Sequence, residues 1–207
     1  MFPETARVIR ETKPRAFVFE NVRGLLRQSF AKYFEYIKLQ LTYPGVAGKT
    51  DEEWTDHLHR LQEHHTKGDY RSLHYRVVAT LVNAADFGVP QKRERVVIVG
   101  FRHDVQESWS FPRPTHSRRA LEASKWVSGS YWDRHKVGRK SRQAAPSRNE
   151  IDLLLPTIGA DGLEPWQTVR DALHDLPEPV AGRISSIRNQ SRPIAGGRDG
   201  TGLFGVH

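Results

Sequence analysis

The first 41 residues alternate between helical and strand patterns, and this alternation restricts the chain to a small set of folds. In PETARVIRETKP, Ala6, Val8 and Ile9 are spaced as on one helix face, and Pro14 ends the helix. The run AFVF that follows is continuously apolar, which is typical of a buried parallel strand. In SFAKYFEYIKLQL, apolar residues recur every three or four positions and predict an amphipathic helix. Helix, strand and helix in this order predict half of a doubly wound α/β layout.

The middle of the chain predicts two more strands and two short helices. HYRVVATLV and RVVIVGF are β-branched runs that predict a strand pair, joined by the long loop NAADFGVPQKRE. DEEWTDHLHRLQEHH predicts a short helix, and Thr168 has the character of an N-cap for another that ends before Pro177. Past Arg102 the sequence shows no clear periodicity, and we place a domain boundary near residue 110.

Composition excludes several classes of chemistry. The 207 residues contain no cysteine, so they hold no disulfide, no thiolate zinc site and no thiol nucleophile. The formal net charge of +8 is common among proteins that bind nucleic acid, although other basic proteins share it. No apolar run is long enough to span a membrane and no signal peptide is recognisable, so a soluble cytoplasmic protein is expected.

From Tyr43 to Arg71 the chain is polar and rich in histidine, and His74 follows shortly after. Without cysteine or a convincing carboxylate partner these histidines predict a histidine-rich surface rather than a metal site. The residues concerned are His57, His59, His64, His65 and His74.

The first candidate for chemistry is Glu20, in the sequence FENV at the end of the first predicted strand. Ligands of doubly wound sheets bind outside the carboxyl ends of the strands. A glutamate there, beside an apolar wall, is expected to be partly desolvated and to serve as a proton donor. The alternative is a structural carboxylate that caps the loop or pairs with a nearby arginine.

The second candidate is QKRER, residues 91–95. In an extended segment, alternation places Gln91, Arg93 and Arg95 on one side. Neighbouring guanidinium groups suit phosphate oxygens, base edges or a buried carboxylate. The alternative is a charged strand edge that prevents aggregation.

Together these segments resemble one family. ETARVIRETKPRAFVFENVRGLL and LVNAADFGVPQKRERVVIVGFR are similar to motifs V, VI and VIII of the DNA cytosine-5 methyltransferases, in the same order. TVRDALHDLP, residues 168–177, is similar to a segment that many bacterial members carry in or before the target-recognition region. The resemblance covers about half of the chain.

The resemblance implies a reaction and assigns residues to it. Members of the family flip a cytosine out of the duplex, attack C6 with a cysteine, and methylate C5 from S-adenosylmethionine. Glu20 matches the glutamate that hydrogen-bonds the cytosine at N3 and the exocyclic amine. Arg95 matches the arginine near the base O2 and backbone, and Arg93 the one that supports the glutamate and phosphates. Asn21 is expected to orient the loop after Glu20, and Gln91 to position its own loop.

Other parts of the family pattern are absent from this sequence. The Pro-Cys nucleophile motif and the glycine-rich cofactor turn are missing, and GGRDGTGLFG follows no predicted strand. Met1 and Phe2 occupy the place of a Leu and Phe pair whose Leu lines the cofactor pocket. We therefore expect this chain alone to be inactive, either as a truncated gene product or as one chain of a split enzyme whose complementary chain carries the missing motifs.

A basic stretch after residue 110 coincides with the place where family members recognise DNA. Cations there are mixed with Trp126, Tyr131 and Trp132, which suits phosphate contacts and base stacking, although a solvated loop is the alternative. The residues expected to bind double-stranded DNA are Arg113, Arg118, Arg119, Lys136, Arg139 and Lys140, together with the neighbouring Arg134 and Arg142.

The expected fold class is therefore α/β. Residues 1–110 are expected to form the second half of a Rossmann-like doubly wound methyltransferase sheet, incomplete in this chain. Residues 111–207 are expected to begin an irregular α+β target-recognition region. The implied function is part of a bacterial modification or restriction-modification methyltransferase. A stand-alone DNA-binding module and a nonfunctional remnant are the alternatives.

Overall fold

A computed structural model of the chain describes residues 2–68, 72–106, 108–152, 162–174 and 176. It is a mixed α/β structure that divides after Ala172 into two units, and the first unit contains the sheet and the helices that pack on it. The helices are α1 (Phe2–Thr12), α2 (Ala31–Thr42), α3 (Trp54–Lys67), α4 (Arg118–Trp126), α5 (Ser130–Arg134), α6 (Arg148–Asp152) and α7 (Val169–Leu173). The strands are β1 (Ala16–Val22), β2 (Tyr75–Asn83), β3 (Glu94–Arg102), β4 (His116–Ser117) and β5 (Glu164–Pro165).

The helix–strand–helix prediction for the first 41 residues is confirmed by α1, β1 and α2. Helix α1 ends where Lys13 adopts a positive φ of 45° and its backbone N–H still bonds the Ile9 carbonyl at 2.9 Å. Pro14 then prevents further helix and the chain extends into β1. The short helix predicted around residue 58 is also present as α3.

The three longer strands form one sheet in the order β1-β3-β2. Both pairings are antiparallel, so the predicted strand pair β2 and β3 is confirmed. The prediction that β1 is a buried strand with parallel pairing is wrong for the strands described. Its described neighbour, β3, is antiparallel, and Val18 on its second face is 65% exposed. The two outer strands, β1 and β2, run parallel to each other because each opposes β3.

One face of this sheet carries the main core. Side chains alternate along each strand, and the set that includes Phe17 and Ile98 faces the helices. Ile37 and Leu41 of α2 and Ile9 of α1 close this core, with exposures of 2% or less. The remaining buried members are Leu25, Tyr75 and Val96.

The other face of the sheet is largely open in the part of the chain that is described. Val18, Val22 and Val78 lie on it and are 65%, 57% and 44% exposed. Glu20 and Arg95 share this face, because β1 residue Glu20 stands opposite Val97 and Val22 stands opposite Arg95.

A smaller lobe, made of residues 113–152 and 162–172, follows the sheet within the same unit. Periodicity predicted no regular structure for most of it. Ser117 accepts a hydrogen bond from the backbone N–H of Ala120 at 3.0 Å and caps α4. Leu121, Tyr131, Trp132 and Val137 form the core of this lobe. The predicted N-cap Thr168 is confirmed, since its Oγ1 accepts from the backbone N–H of Asp171 at 3.2 Å.

No helix among the described residues is long and apolar enough to cross a membrane.

We expect Gly100→Ala to lower the free energy of unfolding by about 1–3 kcal/mol, because a methyl group there overpacks the core. Gly100 stands opposite Phe17, and an added Cβ would lie 2.1 Å from the Phe17 Cζ. Urea denaturation measures the loss. Gly138→Ala is the matched control, since Gly138 has φ −62° and no atom within 4 Å of an added Cβ. Equal stability of the two variants would contradict the packing argument.

Candidate active site

The two sequence motifs meet at one end of the sheet. Antiparallel pairing brings the carboxyl end of β1 beside the start of β3, with Val22 opposite Arg95. Glu20 and Arg95 are therefore diagonal neighbours on the same face. The Arg95 Nε lies 2.5 Å from the Glu20 Oε1, a direct ion pair. The fold thus joins the glutamate of FENV to the last arginine of QKRER.

The Glu20 carboxylate is accessible in this arrangement. Its side chain is 55% exposed, whereas that of Arg95 is 26% exposed. The expectation of a partly desolvated glutamate is not met in the described structure, because the sheet face that carries Glu20 is open. Arg95 is further fixed by an Nη1 hydrogen bond to the Glu94 carbonyl at 2.8 Å. Among the described residues, the second oxygen of Glu20 has no hydrogen-bond partner and can accept one from a ligand.

A second ion pair links the same two segments, and sequence reasoning missed it. Arg23 Nη1 lies 2.6 Å from Glu94 Oε2, although the two residues are 71 positions apart in the chain. The pair continues the β1–β3 register by one residue beyond Val22 and Arg95. Only the antiparallel pairing could have revealed it, and the sequence predicted a parallel strand.

Gln91 and Arg93 are not brought to Glu20. Strand β3 begins at Glu94, so the predicted alternation does not extend to them, and both side chains are exposed. In the described part of the chain, Arg93 forms no ion pair with Glu20. Its backbone is held instead, because its N–H donates to Asn83 Oδ1 at 3.1 Å. Their roles therefore stay predictions.

Two asparagines organise the backbone around the site. Asn83 Oδ1 accepts from Arg93 and also from the backbone N–H of Ala85 at 3.3 Å, which closes the base of the loop between β2 and β3. Sequence reasoning missed Asn83, although an asparagine at the end of a strand and before a short helix is a typical cap. Asn21 Oδ1 accepts from the backbone N–H of Val22 at 2.8 Å, a local contact at the end of the ENV segment.

The cations predicted to bind DNA lie in the smaller lobe and are exposed, except that Arg142 is half-buried. Lys136, Arg139 and Lys140 lie within five residues, and the segment bends at Lys136, whose φ is 53°. We call these three residues the basic turn. The other predicted residues, Arg113, Arg118 and Arg119, lie before and at the start of α4.

The aromatic residues near these cations have a different position from that expected. Tyr131 and Trp132 are each 5% exposed and form the lobe core. Trp126 packs against them and its Nε1–H donates to Glu122 Oε2 at 2.8 Å. These rings stabilise the lobe and do not present open faces for base stacking.

Asp171 connects α7 to the rest of the lobe. Its carboxylate is 2.6 Å from Arg134 Nη2 and 2.8 Å from His135 Nε2, and its side chain is 8% exposed. Burial by itself raises the pKa of Asp171. Hydrogen bonds from Thr168 and His135, with the charge of Arg134, outweigh burial and lower this pKa to about 2.

The histidines are not all on the surface, so that expectation is wrong for His57. His57 is 3% exposed, and its ring nitrogens contact Tyr36 Oη at 2.9 Å and the Val46 carbonyl at 2.8 Å. No group of three or more histidine or carboxylate side chains in the described ranges is placed to hold a metal ion.

Comparison with known sequences identifies the class of protein. The sequence profile described as C-5 cytosine-specific DNA methylase matches residues 1–45 and 55–153. This match covers more than half of the chain, so the chain belongs to the C-5 cytosine-specific DNA methylase family. Residues 46–54, which lead into α3, and residues 154–207 lie outside the match.

Individual relatives are type II methyltransferases. The chain is 34% identical to the type II methyltransferase M.AquIA of Picosynechococcus sp., over 89% of this chain and 53% of that protein. It is 30% identical to M.SsoII of Shigella sonnei, over 70% of this chain and 34% of that protein. It is 35% identical to M1.HphI of Haemophilus parahaemolyticus, over 56% of this chain and 23% of that protein. The chain thus spans about half or less of these relatives.

Family membership implies S-adenosylmethionine as the methyl donor. The described residues do not fit this cofactor. None of the described strands runs into a glycine-rich turn that opens a long helix, since β1 leads into the short 3₁₀ turn Arg23–Leu26 and β2 into Ala84–Phe87. Met1 lies outside the described residues, as does the segment GGRDGTGLFG.

We expect the low pKa of Asp171 to make the lobe sensitive to acid. A pKa lowered to about 2 stabilises the fold above the ordinary aspartate pKa of 3.8, and this contribution is lost as the pH falls toward 2. Compared with Asp171→Asn, the unsubstituted protein should therefore lose up to about 2 kcal/mol more stability between about pH 5 and pH 2. Urea unfolding of the two proteins at several pH values measures the difference.

The control for this comparison is Asp133→Asn. Asp133 belongs to the same lobe but is 79% exposed, with its nearest cation, Arg142, 3.9 Å away. At pH 7 it should cost less than about 0.5 kcal/mol. A pH profile of Asp171→Asn parallel to that of the unsubstituted protein would contradict the assignment.

Proposed function

We propose that this chain supplies the base-binding and DNA-recognition part of a DNA (cytosine-5-)-methyltransferase. The observation that carries the proposal is the contact between Glu20 and Arg95, which unites the two motifs of the family at one end of the sheet. Type II relatives support a role in a restriction-modification system.

In this proposal Glu20 acts directly on the flipped cytosine. Its Oε1 is held by Arg95, and its side chain is 55% exposed on the open face of the sheet. A carboxyl group there hydrogen-bonds N3 and the exocyclic amine of the base. A proton held at N3 draws electron density from the ring, so that C6 accepts a nucleophile. In this proposal Arg95 binds the base O2, and Arg93 binds the neighbouring phosphates.

The nucleophile comes from outside these 207 residues, because they contain no cysteine. We infer that a polypeptide with the Pro-Cys motif and the glycine-rich cofactor turn packs on the open sheet face. Val18 and Val22 flank Glu20 there, and burying both would contribute about 1–3 kcal/mol each. The second edge of β1 has no partner strand among the described residues, and its free backbone groups suit strand addition.

DNA contact is assigned to the smaller lobe. The basic turn presents three exposed cations in one short segment, and Arg113, Arg118 and Arg119 add further positive charge in the same lobe. Contacts to phosphate are independent of base sequence, so these residues hold the duplex while Glu20 reads the flipped base.

Glu20→Gln should reduce methylation by about 100-fold or more when this chain is combined with a polypeptide that carries the missing motifs, because general acid catalysis is lost. DNA binding should not change. Transfer of a labelled methyl group to duplex DNA measures the rate, and electrophoretic shift measures binding.

Glu94→Gln is the matched control, since it removes a carboxylate from an ion pair at the same end of the sheet. It should retain most of the activity. Comparable losses in both variants would reduce the role of Glu20 to ion pairing. If the unsubstituted mixture is inactive although both chains are folded, the proposed complementation is wrong.

Replacing Lys136, Arg139 and Lys140 with glutamine should weaken duplex binding and lower its salt dependence. Each phosphate contact contributes about 0.9 to the slope of log affinity against log salt, so the slope should fall by up to about 3. Lys32, Lys38 and Lys67, exposed on α2 and α3, provide a control triple with the same change in charge. Equal losses for both triples would show that only net charge matters.

A further inference from the structure

The loop between β2 and β3 leads directly into the proposed base-binding residues. It runs from Ala84 to Arg93, and its base is closed by Asn83 and by a hydrogen bond from the Ala84 N–H to the Arg93 carbonyl at 2.9 Å. Any displacement of this loop is therefore transmitted to Arg93 and, one residue into β3, to Arg95.

The smaller lobe contacts the same loop at Asp86 and Gly88. Trp166 Nε1–H donates to Asp86 Oδ1 at 2.8 Å, across 80 residues of chain. The Thr115 N–H donates to the Asp86 carbonyl at 2.9 Å. The His116 ring lies against Gly88, whose φ of 81° favours glycine and where an added Cβ would be 2.9 Å from His116 Cε1.

Trp166 belongs firmly to the lobe. It follows β5, its backbone N–H donates to the Ser117 carbonyl at 3.2 Å, and its ring packs against the cluster that contains Tyr131 and Trp132. The bond to Asp86 therefore joins the lobe core to the loop, and both side chains are half-buried.

Asp86 and Trp166 also line a cleft that contains two of the cations proposed to contact DNA. This cleft has a volume of about 550 Å³, and its wall includes Arg118 and Arg119 at the start of α4. The contact thus lies between the surface assigned to DNA and the loop that carries Arg93.

We propose that Trp166 and Asp86 are positioning residues that couple the DNA-recognition lobe to the base-binding site. The lobe binds the duplex, and this contact fixes the loop from Ala84 to Arg93 in the position that aligns Arg95 with Glu20. The proposal rests on the proposed function for its role in methylation, but the coupling itself concerns the free protein.

The experiment compares Trp166→Phe with Trp126→Phe in the full chain. Both tryptophans pack against the same lobe core, and both donate Nε1–H to a carboxylate at 2.8 Å. The Trp126 bond stays within α4, whereas the Trp166 bond crosses to the loop. A phenylalanine keeps most of the packing and removes only the donor in each case.

Amide hydrogen exchange of residues 84–93, measured by mass spectrometry without DNA, is the main readout. Loss of a hydrogen bond to a charged group should speed exchange of this segment by about tenfold or more in Trp166→Phe. Trp126→Phe should leave it unchanged. Equal exchange rates in this segment for both variants and the unsubstituted protein would overturn the proposal.

Substitution of the acceptor provides a second, independent comparison. Asp86→Asn keeps an Oδ1 acceptor and should retain slow exchange, whereas Asp86→Ala should reproduce the effect of Trp166→Phe. Combining Asp86→Ala with Trp166→Phe should add little to either single change, because both remove the same bond. Additive effects would mean that the residues act separately, which would also overturn the coupling.

Methylation by the complemented enzyme separates the coupling from the proposed function. If the proposal holds, Trp166→Phe lowers the rate of methyl transfer at saturating DNA and leaves duplex affinity within about twofold, because the basic turn is untouched. A second outcome is faster amide exchange in Trp166→Phe while the unsubstituted chain, mixed with the polypeptide that carries the missing motifs, shows no methylation. That result would support the coupling and refute the proposed methyltransferase function. An unchanged methylation rate despite faster exchange would overturn the positioning role.

Discussion

The antiparallel pairing of β1 with β3 is the interaction on which the rest of the site depends. It sets Val22 opposite Arg95, and this register alone makes Glu20 and Arg95 diagonal neighbours on one face. Because strand side chains alternate, a slip of one residue would move one of them to the helix-covered face. Two features stabilise the register: Gly100 leaves room for the Phe17 ring, and Arg23 meets Glu94 at the end of the ladder.

Most of the elements that build this sheet can be predicted from local pattern. Helical spacing of apolar residues in α1 and α2 and the continuous apolar runs of β1 and β3 are strong signals, and their buried residues are those that the pattern indicates. The direction of pairing is not local. A parallel strand was expected for β1 because it lies between helices, whereas the strand that pairs with it, β3, begins at Glu94, 72 positions after β1 ends at Val22.

The site residues divide in the same way, because those in local motifs could be predicted and those that depend on distant contacts could not. Glu20 and Arg95 stand in motifs, so their residue types and spacing in the chain identify them. Arg23, Glu94 and Trp166 acquire their contacts only when distant segments meet, and a single arginine, glutamate or tryptophan carries no such signal in sequence. Asn83 bonds nearby residues, so its position at the end of a strand was a usable signal. In the lobe, α4 spans only nine residues and carries basic residues on its exposed side, so its apolar face was too short to detect.

The exposure of Glu20 bears on how such a site can do chemistry. Hydrogen bonds and charges act strongly on a base only where water is excluded, because water weakens electrostatic interactions. Glu20 is 55% exposed, with exposed Val18 and Val22 on either side. Exposure of these two valines to water is unfavourable, and once covered they would exclude water from Glu20. Under the proposed function, covering the open sheet face would bury both valines and exclude water from Glu20 together, so that stability and catalysis would depend on the same contact.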